Sequence, residues 1–128
     1  MSEIRLVIST ELPLPVGHYS PAVVHGGVVY VSGQLGRIGG MSDEEAGDVR
    51  VQVRRAMTGI EALLRAAGSS TSRLLKVNVY VSDVSLWPAV NEEYARFMGD
   101  HRPARAVIPT STLHFGALVE IDAIAAVG

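Results

Sequence analysis

A change in the spacing of apolar residues constrains the fold of this chain more than any other feature. Two β-branched runs, Val23-Val24 and Val28 to Val31, flank Gly26-Gly27, a dipeptide that permits positive φ in a tight hairpin turn. From Asp43 to Gly68, apolar residues instead recur at three- and four-residue steps, which predicts one helix ending at the glycine. Alternation returns at 75–82, with Leu75 on the apolar face. The pattern predicts two strands, a helix and a third strand.

The rest of the chain predicts a second helix and further strands. Ser85 is a candidate N-cap, Pro88 fits a first helical turn, and Gly99 ends the pattern. The remainder supplies two more predicted strands, 104–110 and 118–127, and an early segment, 3–8, adds one at the edge of the sheet. We expect a single α+β domain over 1–128, with a mixed six-stranded sheet and two helices on one face.

Two helices can cover only one face of such a sheet. The other face would carry partly apolar side chains, namely Val28, Tyr30, Tyr80, Leu118 and Ile124. An apolar sheet face of this kind favours burial against another subunit, although a half-polar face can also remain in contact with water.

Composition excludes several classes of chemistry. The chain has no cysteine, so disulfides and thiolate chemistry are absent, and its formal net charge of −2 argues against general binding to nucleic acid. The four histidines lack ligand spacing, and phosphate-loop, dinucleotide and nucleophile-elbow motifs are missing. No apolar run suits a signal peptide or a membrane span. We therefore expect a cytoplasmic protein with no metal, no cofactor, no nucleic-acid partner and no membrane partner.

Arg105 lies inside an apolar strand segment, Ala104 to Ile108. A buried guanidinium needs a carboxylate or a bound anion to offset its desolvation. Sequence alone leaves three positions open for Arg105: the solvent face, an internal salt bridge, or a site that binds a substrate carboxylate through two parallel hydrogen bonds.

Other polar residues are candidates for the same site. Strand alternation places Glu120 and Asp122 on one face, where Glu120 is either solvated, paired with an arginine, or oriented towards a reacting water. Tyr19 follows a proline-rich segment and is either a packing residue or a donor to substrate. Ser32-Gly33-Gln34 supplies hydrogen-bonding groups near a strand end, and Asn91 is either an exposed helix residue or a contact at a site.

Five motifs occur together and in order along nearly the whole chain: Gly17-His18-Tyr19, Val31-Ser32-Gly33-Gln34, Val90-Asn91-x-x-Tyr94-x-x-Phe97, Pro103-Ala104-Arg105 and Val119-Glu120-Ile121-Asp122-Ala123-Ile124-Ala125. This combination resembles the Rid family, also called YjgF-type reactive intermediate deaminases. The resemblance implies a chorismate-mutase-like fold, a homotrimer with three clefts between subunits, a small carboxylate substrate and no cofactor.

The resemblance also implies an activity and a role for each residue. Arg105 would hold the carboxylate of a 2-imino or 2-enamino acid, Glu120 would lie near the hydrolytic water, and Tyr19 would lie near the substrate. Water would add to the electrophilic C=N carbon, giving ammonia and a 2-oxo acid, as in 2-iminobutanoate/2-iminopropanoate deaminases. Further substrate-binding positions would be Ser32, Gly33, Gln34, Asn91 and Val107.

The chain departs from the family pattern at the expected rim of the cleft. Val107 stands where well-known deaminating members have cysteine, His18 replaces a common proline, and His101-Arg102 replaces an apolar approach. Arg102 either favours a dicarboxylate or faces solvent. Two other functions therefore remain open: a noncatalytic trimer that binds or senses a small carboxylate, and an endoribonuclease or translation inhibitor.

Overall fold

Six strands form one mixed sheet in the computed structural model, which describes residues 3–128. They are β1 (Arg5–Val7), β2 (Ala22–His25), β3 (Val28–Leu35), β4 (Leu74–Val81), β5 (Ala104–Pro109) and β6 (Val119–Ala126). Their order across the sheet is β1-β2-β3-β6-β4-β5, and all neighbours are antiparallel except the parallel pair β4 and β5. The α+β class and the mixed six-stranded sheet are confirmed.

The hairpin between β2 and β3 forms where the sequence predicts it. Gly26 and Gly27 have φ of 60° and 80°, a left-handed conformation that glycine adopts without a Cβ clash. The turn fixes the register, which pairs Val23 with Tyr30.

The three helices are α1 (Asp43–Ala46), α2 (Val49–Ala67) and α3 (Trp87–Met98). The pattern predicted a single helix from Asp43, but Gly47 at φ 75° separates α1 from α2. Asp48 then caps α2 by accepting a hydrogen bond from the Val51 amide at 3.0 Å. Gly68 ends α2 in the left-handed conformation, as predicted.

Two local predictions are wrong. Ser85 does not cap α3: it lies in a 3-10 turn whose cap is Asp83, and α3 begins two residues later with Leu86 as its N-cap. Leu75 is 49% exposed because a register irregularity at the start of β4 places Leu74 on the buried face instead.

One face of the sheet carries the core. Helix α2 packs against β3 and β6, and α3 packs against α2. The large side chains of α2 in this core are fully buried: Met57, Ile60, Leu63 and Leu64. Each of these contributes about 1.5–3 kcal/mol of burial free energy. On the strands, Val77, Val79 and Ile121 face the same core.

The opposite sheet face remains partly exposed, as the sequence predicts. The five expected residues alternate with buried neighbours and are half-buried or exposed, Tyr30 at 47%. We refer to this surface as the open face. No helix within residues 3–128 is long and apolar enough to cross a membrane.

Candidate functional site

Arg105 lies on the helix-covered face of edge strand β5. It pairs in parallel register with Val77, whose side chain is fully buried against the helices. The guanidinium Nη1 donates to Asn91 Oδ1 on α3 at 2.9 Å, which assigns Asn91 a contact at the candidate site. Val107, two residues along β5, faces the same side and packs on the edge of the core.

The aromatic ring of Tyr94 contacts the same guanidinium through its face. The Arg105 Cζ lies 5.0 Å from the Tyr94 ring centroid, within the range of a cation–π contact. Tyr94 is one turn from Asn91 on α3, so a single helix face provides both contacts. Burial raises the pKa of the Tyr94 hydroxyl, with the Arg105 charge acting in the opposite direction. Within residues 3–128 that hydroxyl is the one buried side-chain polar atom without a hydrogen-bond partner.

The charge of Arg105 has no carboxylate partner in the described part of the chain. None of the ion pairs formed among residues 3–128 involves it. Asn91 and Tyr94 orient the guanidinium but leave its positive charge uncompensated. Of the positions that the sequence left open, the internal salt bridge is therefore absent from the described chain, and a half-buried cation remains that can accept an anion.

Glu120 lies on the open face, beside Gly33. A Cβ built on Gly33 would come within 2.5 Å of Glu120 Oε2, so the carboxylate packs directly on the glycine backbone. Burial raises the pKa of Glu120; Asp122 adds to this effect and His114 opposes it. A half-buried carboxylate with a raised pKa is a stronger proton acceptor than an ordinary glutamate.

Asp122 has a different environment on the same face. Its carboxylate accepts hydrogen bonds from Asn78 Nδ2 at 2.9 Å and from the Tyr80 hydroxyl at 3.0 Å. These bonds fix Asp122 next to Glu120 and occupy both of its carboxylate oxygens. Of the two carboxylates, Glu120 is thus the one that remains available for proton transfer.

Tyr19, Gly33 and Gln34 meet at one cavity of about 340 Å³, which we call the β3 cavity. It lies between the segment 8–16, the second half of β3 and helix α2. Ser32 holds the loop of Tyr19 in place, since its hydroxyl donates to the Ser20 carbonyl at 2.7 Å. Gln34 Nε2 donates to the Ser32 carbonyl at 3.1 Å, which stabilises the bulged stretch of β3.

The predicted site residues therefore fall into two groups within one chain. The first group is Arg105, Asn91 and Val107; the second is Tyr19, Ser32, Gly33, Gln34 and Glu120. Two strands, β6 and β4, separate β3 from β5, which corresponds to about 14 Å across the sheet. Arg105 and Glu120 also lie on opposite faces. One chain alone does not bring its arginine and its glutamate to the same reacting atom.

The sequence interpretation missed two parts of this arrangement. Tyr94 was identified only as a buried motif residue, although its spacing of three from Asn91 on one helix could have indicated a shared contact. The β3 cavity was not predicted, because the segment 8–16 that covers it has no periodic pattern.

Comparison with known proteins places these features in a family. The family model described as endoribonuclease L-PSP matches residues 9–127. A goat (Capra hircus) protein named 2-iminobutanoate/2-iminopropanoate deaminase is 36% identical over 128 residues, covering 99% of this chain and 93% of the relative.

Solved structures agree with the sequence match. A Yersinia pestis protein of the Rid family, YyfA, is 31% identical with a TM-score of 0.88, and the alignment covers 98% of this chain and 100% of that one. The structure of E. coli TdcF with bound serine is 27% identical with a TM-score of 0.87, over 97% and 99% of the two chains.

Proposed function

Because the chain belongs to the endoribonuclease L-PSP family, the Rid or YjgF-type family that its motifs resemble, we propose that it is a hydrolytic deaminase of 2-imino and 2-enamino acids. The products are a 2-oxo acid and ammonia. The name of the goat relative supports this reaction, and the serine in TdcF supports a ligand that carries a carboxylate.

The uncompensated charge of Arg105 is the observation that carries the proposal. Asn91 and Tyr94 hold the guanidinium in place, and no carboxylate of residues 3–128 pairs with it. A planar guanidinium binds a carboxylate through two parallel hydrogen bonds, each worth roughly 1.5–3 kcal/mol where water is excluded. Arg105 thereby fixes the acid end of the substrate.

Hydrolysis follows from the remaining groups. The enamine tautomerises to an imine, and protonation of its nitrogen makes C2 more electrophilic. Glu120 takes a proton from water as the oxygen bonds to C2, and the resulting tetrahedral adduct expels ammonia after proton transfer to nitrogen. Tyr19 would donate a hydrogen bond to the substrate, a role that its presence in the wall of the β3 cavity supports. This step uses only water and protein side chains.

The proposed active unit is a homotrimer with sites between subunits. Arg105 and Glu120 lie on opposite faces, on strands that are about 10 Å apart across the sheet with β4 between them, so an adjacent copy must supply one of them. The open face, with its exposed Tyr30, offers apolar surface for that contact. Each site would then combine the Arg105 group of one subunit with the Glu120 group of the next.

The test measures release of 2-oxo acid from freshly generated 2-iminopropanoate and 2-iminobutanoate, corrected for spontaneous hydrolysis. We expect wild type to accelerate both and Arg105→Ala to lose most of the acceleration. Arg73→Ala, which removes an exposed arginine outside both groups, is the matched control and should behave as wild type. Unchanged turnover in Arg105→Ala contradicts the assignment.

The same experiment separates the alternatives. If wild type binds 2-oxobutanoate through Arg105 but accelerates neither imine, a noncatalytic carboxylate sensor is the better description. A nuclease activity that disappears in Glu120→Gln would favour the endoribonuclease function, against which the net charge of −2 argues.

A further inference from the structure

The β3 cavity is larger than the substrates considered so far require. Its volume is about 340 Å³, within the range of small-molecule sites, whereas 2-iminopropanoate carries only a methyl side chain. Tyr19 and Gly33 line it, and Glu120 packs on Gly33. The cavity therefore shares Gly33 with the Glu120 carboxylate and extends from there beneath the segment 8–16.

The walls of the cavity are mainly apolar. The aliphatic and aromatic contributors come from four separate parts of the chain: Leu12, Leu14, Ile38, Leu63 and Phe115. Leu63 is fully buried and anchors the floor on α2, whereas Leu14 and Ile38 are 73% and 38% exposed and lie nearer to solvent. Such walls stabilise an apolar group by removing it from water.

Among residues 3–128, Arg55 is the one charged residue of the cavity wall, and it is not available to a ligand anion. Arg55 donates to three backbone carbonyls, those of Gly36, Glu45 and Ala46. Its hydrogen-bonding capacity therefore goes to the α1 region rather than to the cavity. The Gln34 amide is likewise engaged with the Ser32 and Gly33 carbonyls. Arg55 and Gln34 are thus already hydrogen-bonded, and the Tyr19 hydroxyl is left as a donor at the mouth, which disfavours a charged occupant deeper in the cavity.

We propose that the β3 cavity receives the side chain of the substrate, and that this protein prefers 2-imino acids with branched aliphatic or aromatic side chains over those with a methyl or ethyl group. This inference rests on the proposed function and specifies its substrate class. Each buried methylene favours binding about fourfold, so the three extra carbons of a leucine-derived imine should raise kcat/KM at least about tenfold over the alanine-derived imine.

The test compares the two imines, generated in place from leucine and alanine by an amino-acid oxidase, and separately measures binding of the corresponding 2-oxo acids by calorimetry. Ile38→Asp and Leu14→Asp each place a carboxylate on the cavity wall and should reduce the leucine-to-alanine ratio of kcat/KM at least about tenfold. Val84→Asp changes a 65% exposed apolar residue outside the cavity and should leave the ratio at its wild-type value.

The calorimetry keeps the two proposals distinguishable. Tighter binding of 4-methyl-2-oxopentanoate than of pyruvate, lost in Ile38→Asp, supports the side-chain cavity. Equal affinity of wild type for the two acids, with both imines hydrolysed, overturns the cavity assignment and leaves the deaminase function intact; it would indicate that a segment of a second copy fills the cavity. Absence of both binding and turnover in a folded protein overturns the proposed function and this inference with it.

Discussion

Substitutions at Tyr94 distinguish its contribution to the orientation of Arg105 from its contribution to core packing. Tyr94→Leu removes the ring that lies 5.0 Å from the guanidinium carbon, while Asn91 still accepts one hydrogen bond from Arg105. A cation–π contact at a largely desolvated site contributes about 0.5–2 kcal/mol. If Arg105 binds the substrate carboxylate equally in the ground state and the transition state, this loss raises KM about 2- to 30-fold and leaves kcat nearly unchanged.

The assay is imine hydrolysis across substrate concentration, together with calorimetric titration of 2-oxobutanoate. Tyr94→Phe keeps the ring and removes a buried hydroxyl that has no partner, so it should retain wild-type KM. Loss of that desolvation penalty should also stabilise the fold by about 1 kcal/mol, which raises Tm by about 3–5 °C. Phe97→Leu reduces apolar packing on the same helix and controls for packing effects.

Three outcomes would refute this reasoning. Wild-type KM in Tyr94→Leu would show that Asn91 alone orients the guanidinium. A raised KM in Tyr94→Phe, equal to that of the leucine variant, would show that the hydroxyl rather than the ring makes the contribution. A fall in kcat alone, shared with Phe97→Leu, would indicate a purely structural role.

Two further predictions concern the Glu120 group. Burial raises the pKa of Glu120 and a general base must be ionised, so a pH–rate profile should show kcat/KM rising with pH through a value above the pKa of an ordinary glutamate. Glu120→Gln should abolish this rise and lower kcat about 10²- to 10⁴-fold. Asp122→Asn should shift the rise to lower pH, because the Asp122 charge also raises the pKa of Glu120. Gly33→Ala should lower kcat about 10- to 100-fold with little change in Tm, because only the end of the Glu120 side chain must move to admit the methyl group. A variant with both kcat and Tm at their wild-type values would contradict the close packing of Glu120 on Gly33.

Local sequence pattern was sufficient to predict most helices and strands. The Gly26-Gly27 turn, the end of α2 at Gly68 and the shared face of Glu120 and Asp122 depend on nearest neighbours in sequence, and the structure confirms all three. The prediction that Ser85 caps α3 was wrong because Ser85 lies inside a 3-10 turn that Asp83 caps. The prediction that Leu75 lies on the apolar face was wrong because the irregularity at the start of β4 depends on pairing with β6, which lies more than forty residues away in sequence.

The arrangement of the site required long-range information. The face on which Arg105 lies is set by its register against Val77, and parallel pairing of β4 with β5 has no local signal. The β3 cavity is formed by an irregular segment folding over a strand and a helix, so no periodicity predicts it. Sequence therefore proposed Arg105 and Glu120 as candidate site residues but did not predict their separation within one chain.

That separation leads to a test of where each site is assembled. Arg105→Ala and Glu120→Gln are each expected to be inactive as homo-oligomers. If they are co-refolded in equal amounts, every mixed trimer contains one site with Arg105 from one subunit and Glu120 from its neighbour. Random mixing then restores about a quarter of wild-type activity, because about three quarters of the trimers are mixed and each has one intact site of three.

A site contained within a single chain would give a different result, since no mixture could join an intact arginine to an intact glutamate and activity would remain near zero. Co-refolding each variant with itself controls for refolding yield, and sedimentation confirms that mixed oligomers form. Recovery that depends on the mixing ratio, with its maximum at equal amounts, is the signature of a site shared between subunits. It would account for an uncompensated Arg105 on one face of the sheet and an available Glu120 on the other.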